Sequence, residues 1–228
     1  MEKATNNNDT GLLQDLLPAD ITSIFSARLP TEAQLWGIET EMAQKMAEKR
    51  YAEFIHGRHT ARLALQQIGC PQVAIGKGKS REPLWPQHIV GSISHTLHYA
   101  AAAITVENKY LGVGVDMEPS KQLEEKLFES ICRPEELALF AQERLTPRQA
   151  GERAKLLFSI KESIYKCLWP SVKSFIDFTE MQIELNESEQ SYKAIPHTHK
   201  VSADFVRRLE GRYKYHGELI LSTAWIAA

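Results

Sequence analysis

The chain has 228 residues, 43% of them hydrophobic and 25% charged, which is typical of a folded globular protein and excludes a disordered or collagen-like chain. Its 27 basic and 29 acidic side chains give a net charge of -2, so the basic field of a duplex-binding protein is absent and we expect no nucleic-acid partner. The N-terminus lacks a signal-peptide pattern and no segment approaches the ~18 apolar residues of a membrane span, so we predict a cytoplasmic protein.

The first half of the chain predicts one long helix followed by strands. A charged, alanine-rich stretch predicts a helix over residues 30–68, which Gly69 and Pro71 end. Residues 73–86 are rich in glycine, lysine and proline, which indicates either a loop or a short irregular hairpin. Short apolar or alternating segments then predict three strands, over residues 89–96, 99–106 and 111–118.

The second half repeats this order of elements. Pro134 and Pro147 are typical of the first turn of a helix, and the pattern predicts a long helix over residues 151–169 that ends at Pro170. Strands are predicted over residues 175–186 and 219–226, with a basic, aromatic segment over 207–215 between them. Helix, strands, helix, strands predicts an α+β fold in two halves that meet near residue 116.

Several common functional motifs fail in this sequence. The segment 78–80 resembles the end of a phosphate-binding loop, but Val73 stands where its first glycine is required. Gly112 and Gly114 could open a dinucleotide fingerprint, but Met117 stands at its third glycine. The eight histidines form no HExxH pattern, and no GxSxG surrounds a serine. The three cysteines are widely spaced and read as reduced packing residues.

Two basic residues fall inside the apolar faces of the predicted helices. At the 100° per residue implied by ~3.6 residues per turn, Arg58 points into the apolar arc of the first long helix and Lys161 into that of the second. A buried charge without compensation costs several kcal/mol, so each side chain needs an anion or a route to water. Arg58 is either a structurally paired arginine or a phosphate ligand.

The second helix carries a polar stripe that has two interpretations. Lys155, Ser159, Glu162 and Lys166 share one face, which by itself is typical of a solvated surface. However, Asp116 and Glu118 lie two residues apart on a predicted strand and therefore project from the same face. Such carboxylates repel each other unless a cation lies between them, so this pair is either an exposed strand end or part of a cation site. Glu162 could supply a third carboxylate.

The residues around these carboxylates resemble the motifs of one family. Residues 113–118 match the pattern hydrophobic-Gly-hydrophobic-Asp-x-Glu, and residues 158–166 match aromatic-small-x-Lys-Glu-small-x-x-Lys. Both motifs are characteristic of 4'-phosphopantetheinyl transferases of the Sfp or enterobactin-synthetase-component-D type. Residues 54–58, 81–86 and 91–96 extend the likeness, which covers residues ~49 to 169.

The resemblance implies a fold, a reaction and two substrates. It implies two similar α/β halves in a pseudo-twofold arrangement, which we place at residues 1–115 and 116–228, with coenzyme A in the cleft between them. The implied reaction is Mg²⁺-dependent transfer of phosphopantetheine from coenzyme A to a serine of an apo acyl, aryl or peptidyl carrier protein, with release of adenosine 3',5'-bisphosphate. We expect a monomer. The pathway, whether siderophore, polyketide, fatty-acid or lysine metabolism, stays open.

The resemblance also assigns roles by position. Asp116, Glu118 and Glu162 would hold Mg²⁺; Asp116, Glu162 and Lys166 would be catalytic, with Glu162 or a water beside it as the general base. The nucleotide and its phosphates would be bound by Arg50, Arg58, Arg81, Ser94, His95, Lys161 and Lys166. Lys161 is either a phosphate contact or structural, and Lys77 and Lys79 compete with Arg81 for the same phosphate. The rival functions are a Mg²⁺-dependent hydrolase of a nucleotide pyrophosphate and a non-catalytic scaffold that binds coenzyme A or carrier domains.

Overall fold

The structure, a computed structural model, describes residues 11–96 and 98–228. The polar leader of residues 1–10 lies outside these ranges. The first half contains two short helices, one long helix and six strands. In chain order these are α1 (Gly11–Gln14), β1 (Thr22–Ser26), α2 (Ile38–Ala43), α3 (Glu48–Gln67), β2 (Gly76–Lys77), β3 (Pro83–Leu84), β4 (Ile89–Thr96), β5 (Tyr99–Val106) and β6 (Tyr110–Pro119).

The second half contains the longest helix and four more strands. Its elements are α4 (Phe128–Ile131), α5 (Pro134–Gln142), α6 (Pro147–Val172), β7 (Met181–Asn186), β8 (Ser191–Pro196), α7 (Ala203–Val206), β9 (Leu209–His216) and β10 (Leu219–Ala227), with 3-10 turns at Glu125–Leu127 and Phe178–Glu180. The strands form a three-stranded sheet of order β1-β5-β4 and a five-stranded sheet of order β6-β10-β9-β8-β7, both antiparallel. Strands β2 and β3 pair separately. Of the two alternatives predicted for residues 73–86, a loop or a short hairpin, the structure therefore contains the hairpin.

The α+β fold with two helix-on-sheet halves is confirmed. Helix α3 packs on the first sheet through a core that includes Ala61, Leu65 and Ile104. Helix α6 packs on the second sheet through a larger core. A third core lies between the two sheets and contains side chains of both, so the halves form one packed body. The predicted boundary between residues 115 and 116 falls inside β6 and stays a prediction.

The predicted strands at residues 89–96, 99–106, 111–118 and 219–226 are confirmed as β4, β5, β6 and β10. Three predictions need correction. The helix expected over residues 30–68 is instead two separate helices, α2 (Ile38–Ala43) and α3 (Glu48–Gln67). The strand expected over 175–186 begins only at Met181, after a 3-10 turn, and β8 and β9 were missed. Helix α6 runs past Pro170 and ends at Val172, where Lys173 caps it in a left-handed conformation.

Helix α6 begins with the capping chemistry that its sequence carries. Thr146 accepts a hydrogen bond from the backbone N–H of Gln149, the Gln149 side chain accepts from Thr146 N in return, and Pro147 occupies the first turn. Pro170 is tolerated near the other end because it removes only one hydrogen bond there. The 26-residue helix therefore has a fixed start, which sets the rotation of the face that carries Glu162 and Lys166.

An ion pair that the sequence did not indicate anchors α3. Arg62 donates to both carboxylate oxygens of Glu39, at 2.8 and 2.6 Å, and both side chains are buried. The same carboxylate accepts hydrogen bonds from the backbone N–H groups of Trp36 and Ile75. Because its acceptors are satisfied in this way, the buried pair is compensated, and it ties α2 and the loop before β2 to the long helix.

No helix within residues 11–96 and 98–228 has the length and apolar character needed to cross a bilayer. The three cysteines are free, as predicted, and burial raises the pKa of the Cys132 thiol to about 12. The cytoplasmic location and the monomeric state stay predictions.

Candidate active site

Two glycines let α6 lie directly against β6. A Cβ atom on Gly114 would overlap the carbonyl oxygen of Ser163 and lie 2.8 Å from Cys167 N, and one on Gly112 would overlap the Cys167 carbonyl oxygen. Backbone therefore touches backbone at this crossing, which only glycine permits without displacement. The close approach brings the strand that carries Asp116 and Glu118 against the helix that carries Glu162 and Lys166.

Lys166 lies between two carboxylates of the cluster, those of Asp116 and Glu162. Its ammonium group donates to Asp116 Oδ1 at 2.7 Å and to the Val115 carbonyl at 3.2 Å, and it lies 4.0 Å from Glu162 Oε2. Burial lowers the pKa of Lys166, but Asp116 and Glu162 outweigh that effect, so the net pKa lies above its ordinary value. The ammonium is therefore charged at neutral pH and available to an incoming anion.

The carboxyl groups of Glu118 and Glu162 both have a pKa above the ordinary value for glutamate. Burial, together with the negative charge of Asp116, raises the pKa of Glu118 above its ordinary value, although Lys155 opposes this. Burial likewise raises the pKa of Glu162, and Asp116 and Glu118 add to the rise against the influence of Lys166. Each of the three carboxylates thus lies within electrostatic reach of the other two.

The cluster is not an assembled metal cage. Across residues 11–96 and 98–228, no three carboxylate, imidazole or thiol side chains are gathered closely enough to hold a metal ion as they stand. The donor set nevertheless fits a hard cation: Asp116 is 4% exposed and its Oδ2 has no hydrogen-bond partner within the described residues. A buried, unpaired carboxylate oxygen beside two glutamates is the chemistry that Mg²⁺ accepts while water and phosphate complete its shell.

Two serines of β4 join the first half to this site. Ser94 Oγ donates to Asp116 Oδ1 at 3.1 Å and accepts from the backbone N–H of Met117 at 3.1 Å, while Ser92 Oγ accepts from Val115 N at 3.1 Å. Strands β4 and β6 belong to different sheets. The two serine hydroxyls therefore supply hydrogen bonds that link these strands. A hydroxyl has a single hydrogen to donate, and Ser94 donates it to Asp116 in this structure. Its contact with the nucleotide phosphates stays a prediction. Neither serine's contact with β6 was predicted, because each joins residues 22 or 23 positions apart in the chain.

The predicted nucleotide ligands fall into separate groups. Arg50 donates to His95 Nε2 at 2.9 Å, so that nitrogen is an acceptor and the imidazole is neutral. Burial, with the charge of Arg50, lowers the pKa of His95 to about 4. Arg58 is buried and donates to the backbone carbonyls of Ile75 and Gly76, at 2.9 and 3.2 Å. Its partners are thus structural, and burial lowers its pKa to about 10.

Lys161 requires a correction. Its side chain is 1% exposed and donates to Glu136 Oε2 at 2.6 Å and to the Ile131 carbonyl at 2.7 Å. The same glutamate accepts from the backbone N–H of Ile183. Lys161 therefore holds α5 and β7 against α6 and faces away from the cleft, so the structural alternative is the right one. Glu136 lies 25 residues before it in the sequence, and no local pattern marks the pair.

A cleft between the halves reaches this cluster. A cavity of about 530 Å³ is lined by Arg81, Glu162 and Lys166 and walled by aromatic side chains of both halves, Trp85, Tyr165 and Trp169. Lys77 and Lys79 do not line it. A larger hollow of about 1240 Å³ between β8 and β9 contains none of the predicted site residues in its lining. Of the polar stripe of α6, Glu162 and Lys166 therefore face the cleft. The solvated-surface interpretation is wrong for Ser159, which is buried against Ser222 of β10.

Comparison with known families agrees with this geometry. Residues 38–105 match the 4'-phosphopantetheinyl transferase N-terminal domain, and residues 112–223 match the 4'-phosphopantetheinyl transferase superfamily. The chain is 36% identical over 172 residues to 4'-phosphopantetheinyl transferase Npt of Nocardia iowensis, an alignment that covers 75% of this chain and 76% of that protein. The chain belongs to the 4'-phosphopantetheinyl transferase family. The family resemblance and the enzyme class predicted from the two motifs are confirmed.

Other relatives of this transferase match over a shorter length. It is 36% identical over 155 residues to 4'-phosphopantetheinyl transferase PptT of Mycobacterium tuberculosis, covering 68% of this chain and 64% of that one. It is 34% identical over 132 residues to enterobactin synthase component D of Salmonella typhimurium, covering 58% and 54%. The matched parts of those two relatives are thus less than two thirds of their length, and what each acts on is a statement about that protein.

Proposed function

We propose that this chain transfers the 4'-phosphopantetheine group of coenzyme A to a serine hydroxyl of an apo carrier protein, with Mg²⁺ bound by Asp116, Glu118 and Glu162. The observation that carries the proposal is the contact of β6 with α6. Glu162 and Lys166 line a cleft between the halves, and Lys166 is in direct contact with Asp116 of β6. When bound, the cation neutralises negative charge on the diphosphate of coenzyme A.

The chain's own residues supply the remaining chemistry. The carrier serine oxygen forms a bond to the phosphorus that bears the pantetheine arm, and the bond from that phosphorus to the bridging oxygen of adenosine 3',5'-bisphosphate breaks. Glu162, or a water beside it, takes the serine proton, because Glu162 is the carboxylate of the cluster that lines the cleft. Lys166 stabilises the negative charge on the leaving phosphate and can give it a proton. Arg81 on the cleft wall pairs with the diphosphate.

The test is intact-mass analysis of several apo carriers, of acyl, aryl and peptidyl type, after incubation with enzyme, coenzyme A and Mg²⁺. We expect each accepted carrier to gain one phosphopantetheine group, and chelation with EDTA to stop the reaction. Breakdown of coenzyme A without a carrier would instead support the hydrolase, and binding of coenzyme A with no change in any carrier mass would support the scaffold.

Replacing Ser94 distinguishes its two possible roles. Ser94→Ala removes a hydrogen bond to a buried carboxylate, which is worth ~1.5–3 kcal/mol. Because that bond orients Asp116, we expect kcat to fall about tenfold while the KM for coenzyme A stays unchanged. Steady-state kinetics measure both, and Ser130→Ala, at an exposed serine that bonds only its own helix turn, is the matched control. A raised KM with unchanged kcat would return Ser94 to the nucleotide.

A further inference from the structure

Lys155 is the charged member of the α6 polar stripe that the proposed reaction does not use. Its ammonium group donates to Glu118 Oε2 at 2.5 Å and lies 4.9 Å from the centre of the Phe158 ring. The side chain is 14% exposed and that of Glu118 is 23% exposed, so the pair is shielded from bulk water. A partly buried contact of this kind is worth more than a surface ion pair, because solvent screens it less.

The charges around the site are divided unequally. Three carboxylates face two ammonium groups, with Lys166 placed between Asp116 and Glu162 and Lys155 bound to Glu118 alone. The cluster therefore carries one net negative charge. A divalent cation added to it would leave one net positive charge, and the cation would have to share Glu118 with an ammonium group already in contact with it.

We infer that Lys155 is a positioning residue that makes binding of the divalent cation depend on coenzyme A. This inference rests on the proposed function. Lys155 competes with the cation for Glu118 in the free enzyme, and the negatively charged diphosphate of coenzyme A restores the charge balance once both are bound. The two ligands then raise each other's affinity by the same factor, as linkage requires.

Lys155→Gln removes the competing charge and keeps the length of the side chain near Phe158. We expect this variant to bind Mn²⁺ in the absence of coenzyme A about 5- to 150-fold more tightly than the wild-type enzyme, which is the usual range of such couplings. We also expect coenzyme A to raise its Mn²⁺ affinity by a correspondingly smaller factor. Electron paramagnetic resonance of free Mn²⁺ measures both, after correction for the Mn²⁺–coenzyme A complex in an enzyme-free titration.

Three further variants control the experiment. Lys155→Arg keeps the charge and should bind Mn²⁺ as the wild-type enzyme does. Lys200→Gln removes an equally close ion pair, 2.6 Å from Glu180 on another part of the chain, and should change nothing. Thermal unfolding checks that each variant is folded, and Lys155→Met, which keeps the apolar stem, replaces the glutamine variant if that one is not.

Equal or weaker Mn²⁺ binding by Lys155→Gln would overturn the inference while leaving the proposed transfer intact. A wild-type enzyme that binds no Mn²⁺, with or without coenzyme A, would overturn the inference together with the cation of the proposed function. Transfer to a carrier is measured separately by mass, so these outcomes are distinguishable.

Discussion

Asp116→Asn is expected to lower kcat/KM for carrier modification by about a hundredfold to a thousandfold, the usual effect of removing one preorganised charged group from a catalytic site. Asp116 is the deepest carboxylate of the cluster, at 4% exposure, and its unpaired Oδ2 is the best-placed oxygen for a cation. The amide keeps the shape and can still accept the hydrogen bond from Ser94, so the fold should survive. The measurement is the initial rate of carrier mass shift.

The control for this variant is another aspartate. Asp204→Asn neutralises an exposed side chain that pairs only with Arg207 on its own helix, and it should leave the rate unchanged. Circular dichroism and thermal unfolding of both variants separate a lost charge from a lost fold. Full activity in a folded Asp116→Asn protein would remove Asp116 from the cation site and with it the central carboxylate of the proposed mechanism.

The sequence was most informative where a pattern is local. Strands β4, β5 and β6 were predicted because their apolar residues are contiguous or alternate within short segments bounded by turn residues. Strands β8 and β9 were missed because their outward positions carry charged side chains such as Lys193, Glu210 and Arg212, which resemble loop composition. Pro170 was taken as a helix end because proline usually breaks the ladder, but it lies in the last turn of α6, where few bonds remain to lose.

Local geometry predicted which side chains of the candidate site share a face, but not which atoms they contact. The shared face of Asp116 and Glu118 follows from strand geometry, and the spacing of Glu162 and Lys166 follows from helix geometry. What each side chain contacts depends on pairings across the fold, which no local pattern encodes. Ser94 donates a hydrogen bond to Asp116 on the other sheet. Lys161 forms an ion pair with Glu136 in the core, and Lys155 forms one with Glu118. The position of Lys155 on the same face of α6 as Glu162, about two turns earlier, was the signal available for the last of these.

Gly114→Ala is expected to destabilise the protein by about 3 kcal/mol or more, at the upper end of the cost of overpacking a core. The added methyl group would meet backbone atoms, the Ser163 carbonyl oxygen and Cys167 N, rather than a flexible side chain that could move aside. Relief requires α6 to shift away from β6, and that shift separates Lys166 from Asp116. We therefore expect stability and transfer activity to fall together, measured by urea unfolding and by the carrier mass shift.

Gly11→Ala is the matched control, because a Cβ atom at Gly11 would meet nothing within 4 Å among residues 11–96 and 98–228 and should cost little. The pair also complements Asp116→Asn, which is expected to lose activity while keeping its stability. If Gly114→Ala were as stable as the wild-type protein, helix α6 could not lie in backbone contact with β6. The carboxylates of the strand and the glutamate of the helix would then have no physical reason to share a site.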